Sequence, residues 1–342
     1  MIVMRPIPVI RAVYLNRVLE VINTAAVDIE KSLQRCHLPT NTAEHPDAYV
    51  PNSSLLSFMH GVTYSSGVED LGLRAASRLS LTDLNHELQS AVLHSSELET
   101  ALWAFCALAE HEQSTMRYRM SRMADTAKVR ICCSPDILQH ASIDHDMEWF
   151  SIMSMVTVIR HFEGDAWMPA AIALQSQDPA GKYARSLFPD TLFYPGQQET
   201  GIELPAALLL ASTEDRLRKA GVQPGATSDR RDQVSWDFPT SLQKLLRAYL
   251  DDGYPDISLA AEIAGSSVRT LQRRLSQYNL RYSELIHQLQ IEYAKELLAD
   301  NDLRTLDVAY AVGYQDSSNF ARAFRRIAGL SPQQYRSQMY AH

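Results

Sequence analysis

From Pro239 to the end of the chain, apolar positions recur every three or four residues, the period of helices that bury one face. Helices are expected at 240–250, 257–264, 268–277, 282–299, 305–312, 317–327 and 332–339, separated by short polar or glycine-containing breaks. The longest carries Leu285, Ile286, Leu289, Tyr293 and Leu297 on one stripe. The pattern repeats at an offset of 49 residues. Leu259, Ile263, Leu271 and Leu275 then fall on Val308, Val312, Phe320 and Phe324, and Arg273 on Arg322. Each copy reads as a short helix, a tight turn and an arginine-bearing second helix, the sequence form of a helix-turn-helix.

The first 212 residues alternate less regularly. Helical periods at 11–23, 26–36, 52–66, 83–93, 97–111 and 144–161 are interleaved with strand patterns at 115–123, 128–133, 168–174 and 192–194. These predict an α+β domain with a small antiparallel sheet. A further helix is expected at 205–219. The breaker and polar cluster Val222-Gln223-Pro224-Gly225-Ala226-Thr227-Ser228-Asp229 has no apolar period and marks a linker. The expected division is 1–212 as one domain, 213–238 as linker and 239–342 as an all-α domain with two helix-turn-helix motifs joined by a long helix.

Composition narrows the class. The chain has 342 residues, 46% hydrophobic and 21% charged, which excludes wholesale disorder. No apolar run approaches the roughly 18 residues that span a bilayer, and the N-terminus lacks a secretory pattern. Four cysteines, Cys36, Cys106, Cys132 and Cys133, then read as reduced thiols. A cytoplasmic protein without membrane contact is the expectation.

The net charge of −8 opposes nucleic acid only as an average. From Pro239 onward, 12 Lys and Arg face 11 Asp and Glu, and the remainder of the chain holds the acidic excess. Residues 263–283 contain no acid and four arginines, Arg269, Arg273, Arg274 and Arg281. Residues 317–342 again contain no acid, with Arg322, Arg325, Arg326 and Arg336. Two local basic patches on a near-neutral domain suit nucleic acid. On the helix 268–277, Leu271 and Leu275 should be buried, leaving Arg269, Gln272, Arg273 and Ser276 outward. Arg bonds guanine O6 and N7 in bidentate fashion, and Gln does the same to adenine N6 and N7. On 317–327, Phe320 and Phe324 take the buried side. Ser318, Arg322 and Arg325 face outward, flanked by Asn319 and Arg326. Arg322 and Asn319 are the base readers expected there, with more phosphate contact and less sequence choice than in the first copy.

The segment Gly313-Tyr314-Gln315-Asp316-Ser317-Ser318-Asn319-Phe320-Ala321-Arg322-Ala323-Phe324-Arg325-Arg326, followed by Gly329-Leu330-Ser331-Pro332-Gln333-Gln334-Tyr335-Arg336, closely resembles the C-terminal signature of the AraC/XylS family of bacterial transcription regulators. Ser266-Ser267-Val268-Arg269-Thr270-Leu271-Gln272-Arg273-Arg274-Leu275 resembles that family's first recognition helix. The resemblance spans about 240–338. It implies two helices in successive major grooves of double-stranded operator DNA, with Arg269, Gln272 and Arg273 as base contacts from the first. Ser317, Ser318, Asn319 and Arg322 match the second, joined by Arg325. Arg274 and Arg326 are the phosphate candidates. An activator, a homodimer and contact with RNA polymerase are implied as well.

More faintly, Leu33, Cys36, Leu38-Pro39, Tyr49-Val50-Pro51 and Asp70-Leu71-Gly72-Leu73 resemble an arabinose-binding-like N-terminal domain of the ornithine-utilisation-regulator type. That resemblance implies dimerisation and a small-molecule effector. Aromatic pocket walls could come from Trp103, Phe105, Trp149, Phe150, Trp167, Phe188 and Phe193. Polar anchors could come from Arg117, Arg119, His145 and Tyr194, Arg117 and Arg119 sharing one strand face. Two other readings stay open: a constitutive dimeric regulator without ligand, and a thiol sensor in which Arg130 lowers the pKa of Cys132 or Cys133. His140, Asp144, His145 and Asp146 cluster in sequence but miss the spacing of metal ligands. No metal, cofactor or enzyme activity is expected, since no phosphate-binding glycine loop or catalytic motif is present.

Overall fold

The computed structural model describes residues 6–23, 27–123, 126–135, 144–177, 181–212, 236–249, 254–299 and 303–339. His140, residues 213–235 of the expected linker, Leu250 and the end of the expected 205–219 helix lie outside them. The chain divides into two compact units. One contains Pro8–Leu38 and Thr42–Ser235; the other contains Trp236–His342 with Met1–Ile7 and Pro39–Asn41.

In the first unit, β1 (Val9–Arg11) pairs antiparallel with β2 (Tyr49–Pro51). Helices α1 (Ala12–Ile22), α2 (Ile29–Arg35), α3 (Asn52–Ser66), α4 (Leu71–Ala76), α5 (His86–Leu93) and α6 (Leu98–Leu108) follow, with β2 between α2 and α3. Next come β3 (Met116–Arg122), β4 (Lys128–Pro135), α7 (His145–Glu163), β5 (Ala171–Ala173), α8 (Lys182–Leu187), β6 (Leu192–Tyr194) and β7 (Thr200–Pro205). The second sheet has the order β3-β4-β7-β5-β6. It is mixed rather than purely antiparallel, because β5 and β6 run parallel. Its central strand, β7, was not among the expected strands. Pro205 closes that strand, and Ala206–Leu210 form a 3-10 turn where an α-helix was expected.

Helix α7 is the spine of this unit, buried continuously from Met147 to Ile159. Asp144 caps it by accepting the Asp146 amide at 3.0 Å. Burying Glu148 in the middle of a core is costly unless its carboxylate is satisfied. Here it accepts the backbone amides of Gln175 at 2.6 Å and Ser176 at 3.2 Å, and the Thr200 hydroxyl. The Tyr118 hydroxyl meets Ser151 of α7 at 3.0 Å. Tyr118, Cys133 and Thr200 therefore face α7. By strand alternation, Arg119, Cys132 and Gly201 face away.

The second unit is all helix: α9 (Phe238–Arg247), α10 (Ile257–Ile263), α11 (Val268–Gln277), α12 (Tyr282–Leu298), α13 (Thr305–Ala311), α14 (Ser317–Ala328) and α15 (Pro332–Met339). Side-chain caps explain where many of them start. Asp237, Asp256, Ser267 and Asp316 accept amides at the starts of α9, α10, α11 and α14. Ser331 and Gln334 form a reciprocal box at α15. Ile291, Ala294 and Leu298 of α12 pack with Val308, Ala309, Val312, Phe320 and Phe324. Tyr314, Phe320, Phe324 and Tyr335 form a chain of edge-to-face rings with centroids 5.5–5.6 Å apart.

The two turns differ from the simple 49-residue repeat. In the first, Gly265 (φ 61°) closes α10, and Ser266 N donates to Ala261 O at 2.8 Å. In the second, Gly313 (φ 85°) closes α13, and Tyr314 N donates to Ala309 O at 2.9 Å. Both are the left-handed helix ends that glycine makes without strain. These matching bonds are offset by 48, whereas the caps Ser267 and Asp316 are offset by 49. The second turn holds one residue more. No helix among the described residues is long and apolar enough to cross a membrane.

Candidate nucleic-acid interface

On α11 the burial is sharply two-sided. Leu271 and Leu275 are buried, while Arg269, Gln272, Arg273 and Ser276 are exposed. Ser276 returns its hydroxyl to the Gln272 carbonyl at 2.8 Å, so the long polar ends on this face belong to the two arginines and the glutamine. Arg274, the phosphate candidate on this helix, also packs inside its own unit. It is half-buried, with its guanidinium 5.1 Å from the centre of the Phe238 ring of α9. A cation stacked on a ring is held there by the ring's quadrupole, so Arg274 joins α11 to α9.

On α14, Phe320 and Phe324 are buried, and Ser317, Ser318, Asn319, Arg322, Arg325 and Arg326 are exposed. Ser317 and Ser318 sit in the first turn, where Asp316 accepts the amides of Ser318 at 2.7 Å and Asn319 at 3.3 Å. That carboxylate is occupied by the helix terminus. The Arg322 guanidinium donates to the Asn319 side-chain oxygen, so the two expected base readers are paired to each other. Their i, i+3 spacing was the sequence signal for that pair; the Arg274–Phe238 contact, between residues far apart in the chain, had none.

The α12 helix is fixed at both ends. Near its start, the Tyr282 hydroxyl donates to the Pro255 carbonyl at 2.6 Å, and Glu284 accepts the Arg281 amide at 3.1 Å. Near its end, Glu296 pairs with Arg247 of α9, and Arg336 donates to the Leu298 carbonyl at 3.3 Å.

The effector-pocket residues expected in the first unit are not gathered. Arg119, Cys132, Gly201, Ala173 and Tyr194 occupy one cross-strand row, with Arg119 and Tyr194 at its two ends. Strands lie about 4.8 Å apart, so those ends are separated by roughly 19 Å. Arg117 pairs with Glu110 at 3.2 Å, and Arg119 pairs with Glu199. Trp103 is 53% exposed on α6, and the Trp167 carbonyl accepts from Arg160 after α7. Phe105, Trp149, Phe150 and Phe188 are buried core residues.

Burial acts against the thiol reading. Burial pushes Cys132 up to about 11, with Glu199 adding to it, and burial pushes Cys133 higher still. A sensing thiol needs the opposite shift. His145 bonds Ser176 at 2.9 Å, and it is His60 that meets Asp144, at 3.1 Å. His60, Asp144 and Asp146 offer donor atoms within 4.8 Å of one another, and each carboxylate also accepts a backbone amide through one oxygen.

Two family models match the chain. The arabinose-binding domain of AraC transcription regulators, N-terminal, matches residues 27–213, and a helix-turn-helix domain matches residues 260–338. The first spans more than half of the chain, and the chain belongs to the AraC family of transcription regulators. Its relatives include the ornithine utilization regulator of Pseudomonas aeruginosa, 35% identical over 97 residues, 28% of each chain. The transcriptional activator NphR of Rhodococcus sp. is 31% identical over 29% of this chain and 30% of its own. The transcriptional activator RhaS of Escherichia coli is 34% identical over 30% of this chain and 39% of its own. The chain thus matches 28–39% of the length of these relatives. Among solved structures, the regulator CdpR of Pseudomonas aeruginosa covers 90% of this chain and 96% of its own, at 18% identity and a TM-score of 0.36.

Proposed function

We propose that this protein is a sequence-specific DNA-binding transcription activator. It places α11 and α14 in successive major grooves and acts as a homodimer. The observation that carries this reading is the pair of two-faced helices. Each seals an apolar face into its own motif and leaves an acid-free edge of Arg with Gln or Asn in solvent. Those are the side chains that match the donor and acceptor patterns of guanine and adenine. Arg269, Gln272 and Arg273 read bases from the first helix; Asn319 and Arg322 read them from the second. Arg325 and Arg326, one turn further on, contact phosphate. Ser317 and Ser318 add short contacts at the helix start.

The domain division at 1–212, 213–238 and 239–342 assigns effector binding and dimerisation to the first part. Family membership supports that assignment. Two relatives named as activators support activation over repression, and with it contact to RNA polymerase. A relative named for ornithine utilization supports control by a small molecule.

The test is selection of genomic fragments by the purified full chain, followed by binding across a salt series. The reading requires a shared motif with two elements one helical turn apart, bound about a thousandfold or more above random DNA. Binding that only tracks salt, with no shared motif in the presence of cell extract, would overturn it.

A further inference from the structure

A cleft of about 510 Å³ opens in the first unit between α2 and α3, within the size range of small-molecule sites. Asp28, Ser32, Arg35, His60, Gly61 and Tyr64 are among its lining residues. Three features mark it as a candidate site. The first is Gly61, in the middle of α3, where glycine costs about 1 kcal/mol relative to alanine. A Cβ there would come within 2.9 Å of Arg35 Nη2, so alanine at this position would require the guanidinium, the mobile end of that side chain, to shift.

The second is Arg35 itself. Arg11, Arg17, Arg117, Arg119 and Arg130 each pair with an Asp or Glu. Among the described residues, no carboxylate pairs with Arg35, which is exposed and meets the adjacent Cys36 thiol. The third is Tyr64, 94% exposed and one turn beyond His60, leaving an aromatic ring at the cleft wall. At the other end of α2, Asp28 caps the helix through the Lys31 amide at 3.1 Å. Seven residues of helix separate Asp28 from Arg35, about 10 Å along the axis.

We infer that this cleft binds an extended amino carboxylate. This inference rests on the effector-regulated reading above and names its ligand class. The guanidinium takes the carboxylate in a bidentate pair. The Asp28 carboxylate takes the ammonium group, and the aliphatic stem lies along Tyr64. An acid at one end disfavours dianions, which separates this ligand from phosphate.

The experiment titrates the full chain calorimetrically with ε-aminocaproate, caproate and inorganic phosphate at up to millimolar concentration. The inference requires ε-aminocaproate to bind more tightly than caproate, and phosphate to bind least. Arg35→Gln should weaken ε-aminocaproate about tenfold, the loss of one charge-assisted bond. Gly61→Ala should weaken it by displacing the guanidinium. Asp28→Ser keeps a capping residue but should abolish the preference over caproate. Equal affinity in wild type and Arg35→Gln overturns the inference, as does no binding of any probe or preferred binding of phosphate. DNA affinity without probe is measured on the same samples. Wild-type protein that binds its operator yet ignores every probe loses only the cleft assignment; protein with no specific DNA binding loses the regulator reading, whatever the probes do.

Discussion

Arg322 and Asn319 are joined on the exposed face of α14, the guanidinium donating to the amide oxygen one turn earlier. The pair holds Arg322 away from free rotation and leaves the Asn319 amino group as the donor at that position. Either residue can then read a base only by keeping this geometry or by exchanging the bond for one to DNA. Replacing Arg322 by Ala is expected to cost about 1–3 kcal/mol at a specific site. The Asn319→Ala and Arg322→Ala losses should be non-additive by about 0.5 kcal/mol or more, because the two share a bond. Operator titrations of both single variants and the double variant measure this; strict additivity would separate the two residues functionally.

Arg273 on α11 has no such neighbour bond among those described, and it is exposed. Arg273→Ala should cost about 1–3 kcal/mol on the specific site and relax base choice there. Arg326→Ala should instead weaken specific and random DNA alike and reduce the salt slope by about one. Equal losses on both DNAs for Arg273→Ala would remove its base-reading role.

Arg274 is expected to behave as a packing residue. Arg274→Ala should destabilise the helical unit by about 0.5–2 kcal/mol, through the lost contact with Phe238. Phe238→Leu should reproduce much of that loss. Thermal unfolding of both variants, with DNA affinity measured well below the transition, distinguishes this from a phosphate contact.

Phe320 is fully buried between Tyr314 and Phe324. Phe320→Ala should cost about 3–5 kcal/mol. Because α13, α14 and α12 share that core, the second motif should unfold as a unit and specific DNA binding should go with it. Denaturant titration, monitored by far-ultraviolet circular dichroism, tests the size of the loss.

The thiols give a pH prediction. Burial first raises Cys106 to about 12 and Cys132 to about 11. An unfolded thiol titrates near 8.5. Their contribution to stability is therefore intact below that pH and declines as pH climbs toward the folded values. Iodoacetamide should modify these cysteines slowly at neutral pH and much faster after unfolding. Fast modification of the folded protein would reverse the assignment.

The helical unit was readable from sequence because its two recognition helices announce themselves twice. Leu271, Leu275, Phe320 and Phe324 set a period, and Ser267 and Asp316 mark the starts. The sheet was less legible. Thr200–Leu204 of β7 are buried on both faces, so that strand shows no alternation to detect. β1 and β2 are three residues each and exist through their pairing. Phe105, Trp149, Phe150 and Phe188, expected as pocket walls, lie in the core, since large apolar area is buried wherever packing allows. The cleft at Arg35 carries a different mark, a glycine inside a helix, whose meaning depends on a guanidinium 26 positions earlier in the chain.

The additional residue in the second turn constrains how hybrids of the two motifs can be built. Exchanging recognition helices from the caps, Ser267 for Asp316, keeps Leu271 in register with Phe320. Matching residues at the glycine offset of 48, Gly265 for Gly313, while the host turn keeps its length shifts every following side chain by one position. On a helix, one position is about 100° of rotation. Such a hybrid would swing both its arginines and its apolar stripe more than a quarter turn out of place, so residues exchanged between the halves must be matched from the caps.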